Sequence, residues 1–259
     1  MVTSGHPGTP LGPDLAAARV LVAGLGVTGR AVVAALVDRA AAVTTLDANA
    51  PGADLQDSAD VDLTTVDLVV VSPGWAPSHP LLVVSGEAGI PVWSEVELAW
   101  RLRVDRAAGG GPAPWLAVTG TNGKTTTVGM LTSMLAAAGL EVAEVGNVGR
   151  PVVEAAVDPS VDVLAVELSS FQLHFTHTMA VEAGAVLNVA TDHVDWHGSA
   201  EAYAADKGRI FERAQVACVY NVADSTTRRL VEDADVADGA RAVGFTLGSP
   251  GRAEIGLIE

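Results

Sequence analysis

Seven consecutive residues, Gly120-Thr121-Asn122-Gly123-Lys124-Thr125-Thr126, constrain this chain more than any other stretch. They follow the apolar run Trp115-Leu116-Ala117-Val118, which reads as a buried strand. They precede Thr127 to Ala138, where Met130, Leu131, Met134, Leu135 and Ala138 recur at helical spacing. Strand, glycine turn, Gly-Lys-Thr and helix is the layout of a phosphate-binding loop. Glycines let backbone N–H groups close on phosphate oxygens, and the helix N-terminus adds partial positive charge. Lys124 can reach the β- and γ-phosphates, and the Thr125 hydroxyl can coordinate Mg²⁺. The full pattern has a further glycine five residues before Gly123, where this chain has Val118. The bland alternative is a strand–turn–helix with a chance Gly-Lys-Thr, and the flanking elements weigh against it.

Composition narrows the partners. The 259 residues suffice for two domains, and 49% hydrophobic residues mark a globular chain. The net charge of −16 excludes a basic nucleic-acid footprint, so a nucleotide site must rely on backbone dipoles, a few lysines and metal ions. The single Cys218 excludes an internal disulfide and suits a reducing cytoplasm. No apolar run approaches the roughly 20 residues of a membrane span. Met1 to Pro13 reads as a loose tail without the apolar core of a signal peptide, and residues 1–18 are expected to be flexible.

The alternation of strands and helices predicts an α/β chain with parallel sheets. Arg19 to Ala23 is a short strand, followed by Gly24-Leu25-Gly26-Val27-Thr28-Gly29, a helix, and a strand Ala42 to Leu46 ending at Asp47. This is a βαβ unit with G-x-G-x-x-G and an acidic residue about 20 positions on, a Rossmann-like pattern. Taken alone it suits NAD(P), another nucleotide, or a structural turn. Asp67 to Val71, a helix from His79 to Ala88 and a strand Ile90 to Trp93 extend the sheet. Ser94 reads as an N-cap with Glu97 three residues on. Val27, Thr28, Asp47, Ser72 and Gly74 then share the carboxyl edge, where such sheets bind ligands. Residues 107–114, with Gly109-Gly110-Gly111 and two prolines, read as a linker between domains 19–106 and 115–259.

In the second half, strands are expected at Glu141 to Val145, Val161 to Val166, Ala185 to Val189, Gln215 to Tyr220 and Arg241 to Phe245. Helices are expected from Ser199 through Phe211 and near Thr226 to Asp233. Gly146-Asn147-Val148-Gly149 follows the first of these strands. Glu167 ends the second, a position suited to Mg²⁺ beside a phosphate loop. Thr191-Asp192-His193-Val194-Asp195-Trp196-His197 follows the third and suggests a metal or phosphate neighbourhood, with His197 open to a structural role.

Together these motifs resemble the Mur ligases, ATP-dependent enzymes that add amino acids to the UDP-linked peptidoglycan precursor. The resemblance rests on the two glycine loops, Ser72-Pro73-Gly74, Gly146-Asn147-Val148-Gly149, Glu167-Leu168-Ser169-Ser170-Phe171-Gln172-Leu173, Asp192-His193 and Lys207, and spans nearly the whole chain. The stretch from Glu167 to Leu173 points to the branch that joins D-glutamate to UDP-N-acetylmuramoyl-L-alanine. The folylpolyglutamate ligases share the phosphate loop, and the nucleotide-type domain ahead of it argues against them.

The resemblance implies a UDP-binding Rossmann-like first domain and a P-loop ATPase-type central domain. It implies substrate contacts at Val27, Thr28, Asp47, Ser72, Gly74, Asn147 and His193, with Ala48 and Asn49 departing from the Thr-Arg of some members. It implies ATP at Gly120 to Thr126, with Lys124, Glu167, His193 and Lys207 catalytic. Two Mg²⁺ ions would sit at Thr125 with Glu167 and at His193 with Lys207, the lysine carried as a carbamate. It further implies a cytoplasmic monomer with small-molecule substrates and no nucleic-acid or membrane partner. The other readings are an NAD-linked oxidoreductase and a non-catalytic nucleotide-binding remnant.

By the same comparison the chain stops at Glu259, before the central domain ends and without the family's third domain; an exposed sheet edge and aggregation are expected. The chain as given is therefore predicted to bind nucleotide weakly and not to complete amide synthesis. D-glutamate-dependent phosphate release in a steady-state assay would overturn that expectation.

Overall fold

A computed structural model describes residues 12–258. It divides into two compact units, Met1–Glu95 and Val96–Glu259. Residues 1–11 of the expected tail lie outside the described residues. In the remainder, Asp14 caps a short 3-10 turn at Leu15–Ala17 and Ala18 is buried, so ordered packing begins before Arg19.

The first unit is a four-stranded parallel sheet in the order β2-β1-β3-β4. Its strands are β1 (Arg19–Ala23), β2 (Ala42–Leu46), β3 (Leu68–Val71) and β4 (Val92–Ser94). Helices α1 (Val27–Leu36) and α2 (Pro80–Glu87) belong to it, the latter capped by His79, whose Nδ1 accepts the Leu81 N–H. Leu21, Leu68 and Val69 have no exposed surface, as continuous apolar runs in a sheet buried on both faces require. The glycine fingerprint is explained by contact. A Cβ on Gly29 would stand 1.8 Å from the Gly24 carbonyl oxygen, so only glycine lets α1 start this close to the β1 turn.

The second unit is a seven-stranded, wholly parallel sheet in the order β11-β10-β9-β8-β5-β7-β6. Its strands are β5 (Trp115–Thr119), β6 (Val142–Gly146), β7 (Val163–Glu167), β8 (Ala183–Val186), β9 (Ala217–Asn221), β10 (Arg241–Phe245) and β11 (Glu254–Ile255). Helix α3 (Glu95–Leu102) starts at the division between the units. Then come α4 (Lys124–Ala137), α5 (Val152–Ala156), α6 (Ser170–His174), α7 (Val194–His197), α8 (Ala200–Gly208) and α9 (Ser225–Glu232). Right-handed crossovers put α4, which runs outward from β5 to β6, on one face. The helices of the return path and of the march toward β10 fall on the other.

That asymmetry leaves an apolar groove of about 830 Å³ beside α4, walled by Met130, Met134, Leu116, Ala185 and Val219. Met130 and Met134, which recur at helical spacing, are 55% and 64% exposed. Only Val128 of α4 is fully buried, against Val118 and Ala165.

Residues 107–114 are folded into the second unit. Asp105 and Pro112 bridge, Ala107 donates to the Pro159 carbonyl, and the Arg106 side chain donates to the Gly110 and Gly111 carbonyls. Several strand limits differ from expectation by one to three residues because pairing, not apolarity, ends a strand. β8 stops at Val186, after which the chain turns toward the phosphate loop. The two-residue β11 and the one-turn α5 and α7 are too short for periodicity to reveal.

Gly29→Ala is expected to destabilise the first unit by about 1–3 kcal/mol through overpacking. Urea unfolding of the chain tests this, and an unchanged midpoint would contradict the contact argument.

Candidate functional site

The phosphate loop leaves the carboxyl end of β5 and enters α4, whose N-cap is Gly123 in a left-handed conformation. The loop is held from the side by the residues that follow β8. Thr121 N–H donates to the Asn188 carbonyl, the Asn122 N–H to Asn188 Oδ1 at 2.9 Å, and Asn188 Nδ2 back to the Asn122 carbonyl at 3.0 Å. Thr121 Oγ1 accepts the Ala190 N–H and lies 3.1 Å from the Tyr203 hydroxyl. Among the described residues, the Lys124, Thr125 and Thr126 N–H groups have no acceptor. A helix N-terminus of this kind is an anion site.

Two ammonium groups close the loop. Lys124 Nζ and Lys207 Nζ each donate to the Gly120 carbonyl oxygen at 3.0 Å, and Lys124 also reaches the Thr121 carbonyl. Neither forms an ion pair among the described residues. Lys207 comes from α8, is 2% exposed, and lies 4.6 Å from the Tyr203 ring centre. Burial, and then the neighbouring Lys124 charge, pull its pKa down to about 7.

Opposite the lysines is a carboxylate. Glu167 ends β7 with 3% exposure; its Oε2 accepts from Thr125 Oγ1 at 2.7 Å and its Oε1 from Asn147 Nδ2 at 3.0 Å. This explains Gly146: a Cβ there would stand 2.0 Å from the Glu167 carbonyl oxygen, and the Asn147 N–H donates to that oxygen. Thr125 and Glu167 thus offer clustered oxygens of the kind Mg²⁺ takes, with the Asn147 amide holding the carboxylate in place.

His193 stands at the head of α7 with φ 49° and ψ 32°, a strained left-handed conformation for a non-glycine residue. Its exposed ring lies 4.8 Å from Phe171 and 6.0 Å from Tyr203 between centres. Phe171 also contacts Trp196 and stacks on His197, so one aromatic residue ties α6 to α7.

Residues 118–253 match the Mur ligase middle domain. The chain belongs to the Mur ligase family. It is 52% identical over 256 residues to the UDP-N-acetylmuramoylalanine--D-glutamate ligase of Streptomyces avermitilis, covering 93% of this chain and 54% of that protein. The enzyme of the same name from Mycolicibacterium smegmatis is 47% identical, with 96% of this chain and 51% of that protein covered. The chain spans about half the length of the curated relatives it matches. In fold it is similar to a UDP-N-acetylmuramate:L-alanyl-gamma-D-glutamyl-meso-diaminopimelate ligase from Neisseria meningitides. That match has a TM-score of 0.53 at 18% identity and covers 88% of this chain and 78% of the other. Among the described residues no helix is long and apolar enough to cross a membrane.

Within this Mur ligase chain, Gly120 to Thr126, Lys124, Glu167, Asn147 and Lys207 come together at one edge of the second unit's sheet. His193 joins them through the Tyr203 ring rather than by a direct bond. Val27, Thr28, Asp47, Ser72 and Gly74 gather on the corresponding edge of the first unit. Ser72 Oγ donates to the Gly24 carbonyl. Asp47 accepts the Leu25, Asn49 and Ala50 N–H groups, the first two chiefly keeping its pKa below the usual carboxylate value.

Sequence reasoning assigned no role to Asn188, which clamps the loop. It also missed Tyr203 as the hydroxyl beside Thr121, although Tyr203 lies four residues before Lys207 and so on the same face of α8.

Because the Lys207 pKa is depressed when folded, the unfolded chain binds more protons between about pH 7 and 10, and stability from this group rises with pH there. Urea midpoints at pH 7 and pH 9 are expected to rise more for the wild-type chain than for Lys207→Met. Equal shifts would contradict the buried, depressed lysine.

Proposed function

We propose that this chain carries the UDP- and ATP-binding parts of a ligase that joins D-glutamate to UDP-N-acetylmuramoyl-L-alanine. The observation that carries the reading is the convergence of Lys124 and Lys207 on the Gly120 carbonyl, beside the unsatisfied N–H groups of α4. The Lys124 ammonium, which has no carboxylate partner among the described residues, suits a polyanion, and a triphosphate supplies one.

ATP lies along Gly120 to Thr126, with Lys124 against the β- and γ-phosphates. The substrate carboxylate attacks the γ-phosphorus, the bond to ADP breaks, and an acyl phosphate forms. The D-glutamate amine then attacks its carbonyl carbon, phosphate leaves, and the amine gives up a proton. The side chains here position and neutralise; none needs to act as nucleophile. The first unit takes the UDP moiety at Val27, Thr28, Asp47, Ser72 and Gly74, and Asn147 and His193 meet the rest of the substrate.

Thr125 and Glu167 would hold one Mg²⁺, and His193 with Lys207 a second; when bound, the ions neutralise charge on the transferring phosphoryl group. The Thr125 and Glu167 oxygens fit Mg²⁺. An ammonium does not, so Lys207 serves only as a carbamate, formed when its neutral amine adds CO₂ and releases a proton. A pKa near 7 keeps that amine available.

Calorimetry with a non-hydrolysable ATP analogue, Mg²⁺ and UDP-N-acetylmuramoyl-L-alanine tests the reading. Binding of both nucleotides is expected, with Lys124→Met weakening the ATP analogue by about tenfold or more, the equivalent of one charged hydrogen bond. Binding of the analogue unaltered in Lys124→Met, or no binding of the UDP substrate, would contradict it.

A further inference from the structure

Behind the phosphate loop the second unit holds a group of side chains for which nucleotide binding has no use. His174 Nδ1 and His197 Nδ1 both lie 2.8 Å from the same oxygen, Asp206 Oδ2. The three donor atoms lie within 4.8 Å of one another. The His197 side chain is fully enclosed, that of Asp206 is 8% exposed, and that of His174 is 28% exposed, which leaves one approach from solvent.

The surroundings hold each donor in place. Asp206 Oδ1 accepts from Arg209 Nε at 3.2 Å, which leaves Oδ2 directed at the two rings. His197 Nε2 is 3.0 Å from Ser170 Oγ, a hydroxyl that can accept its proton once Nδ1 is engaged. Trp196 contacts both imidazoles, and Phe171 stacks on His197. Metal-bound histidines and carboxylates are ordinarily oriented by such outer hydrogen bonds. Burial disfavours the charged form of the His197 ring.

We propose that His174, His197 and Asp206 form a binding site for a divalent transition-metal ion of the Zn²⁺ type, separate from the nucleotide's own cations. Two imidazoles and one carboxylate are the ligand chemistry of zinc, which Mg²⁺, an all-oxygen ion, does not match. Bonds of about 2.0–2.1 Å put neighbouring donors about 3.3 Å apart in a tetrahedron. Each nitrogen therefore has to draw back from Asp206 Oδ2 by about half an ångström, and the two nitrogens have to settle at about that same spacing within the 4.8 Å that the three donors span. In each neutral ring, binding at Nδ1 moves that proton to Nε2, where for His197 the Ser170 hydroxyl accepts it, and the part-exposed His174 leaves room for a fourth ligand from solvent. The ion joins α6, α7 and α8, the segments adjoining Glu167, His193 and Lys207.

The test is a titration of the tag-free full chain with Co²⁺, followed by competition with Zn²⁺ and, separately, with millimolar Mg²⁺, in the absence of nucleotide. One equivalent is expected, with the intense visible absorption of low-coordinate Co²⁺, displaced by Zn²⁺ and untouched by Mg²⁺. His174→Phe keeps the ring contacts and removes the donor; it is expected to weaken binding by about tenfold or more, while His193→Ala leaves it unchanged. His174→Asn is the second variant, and circular dichroism verifies the fold of each. Absence of stoichiometric binding, or binding that survives in folded His174→Phe, or binding abolished by His193→Ala, overturns the proposal.

Discussion

Two lysine ammonium groups meeting on one carbonyl oxygen govern the second unit. Gly120 is the last residue before the phosphate loop turns, and its carbonyl accepts from Lys124 on α4 and from Lys207 on α8. Two like unit charges a few ångströms apart repel by about 3 kcal/mol at an effective dielectric of 20. Nothing among the described residues neutralises them with an ion pair, although the chain as a whole carries a net charge of −16. The fold thus concentrates positive charge at one edge of a sheet in an acidic protein. Burial first, and the Lys124 charge second, leave the Lys207 proton held less firmly than that of an ordinary lysine.

The rest of the unit keeps that edge in shape. Parallel pairing of β5 with β7 and β8 brings the loop, Glu167 and the segment after β8 to one side. The segment after β8 clamps the loop through Asn188 and Thr121, contacts of 66 and 69 residues' separation. Thr119 Oγ1 donates to the Leu168 carbonyl, fastening β5 to the turn that follows Glu167. The close approach at Gly146 sets the Asn147 amide on Glu167. The capping box of Ser169 and Gln172 starts α6 directly after the carboxylate, which fixes where Phe171 points.

Much of this was legible in the sequence for a simple reason. The phosphate loop, Glu167 and the first unit's glycine turn are local patterns, and their chemistry follows from residue type and spacing. What the residues alone left open depends on contacts between distant segments. Lys207 by itself reads as an ordinary helix lysine. Its burial and its bond to Gly120 come from α8 crossing the carboxyl edge of the sheet, and only the family resemblance pointed to it in advance. Asn188 and the His174–His197–Asp206 group carry no short motif. Met130 and Met134 recur at helical spacing, yet spacing says nothing about whether a neighbour is there to cover them, and both are exposed.

Diffraction from crystals of the chain grown with a non-hydrolysable ATP analogue and Mn²⁺, recorded at the manganese absorption edge, tests the central claim most directly. An anomalous peak within bonding distance of Thr125 Oγ1 and Glu167, with phosphate oxygens completing its shell and Lys124 turned from the Gly120 carbonyl onto the phosphates, is the predicted result. Triphosphate density elsewhere, or manganese bound away from Glu167 with Lys124 still on its own loop, would contradict it.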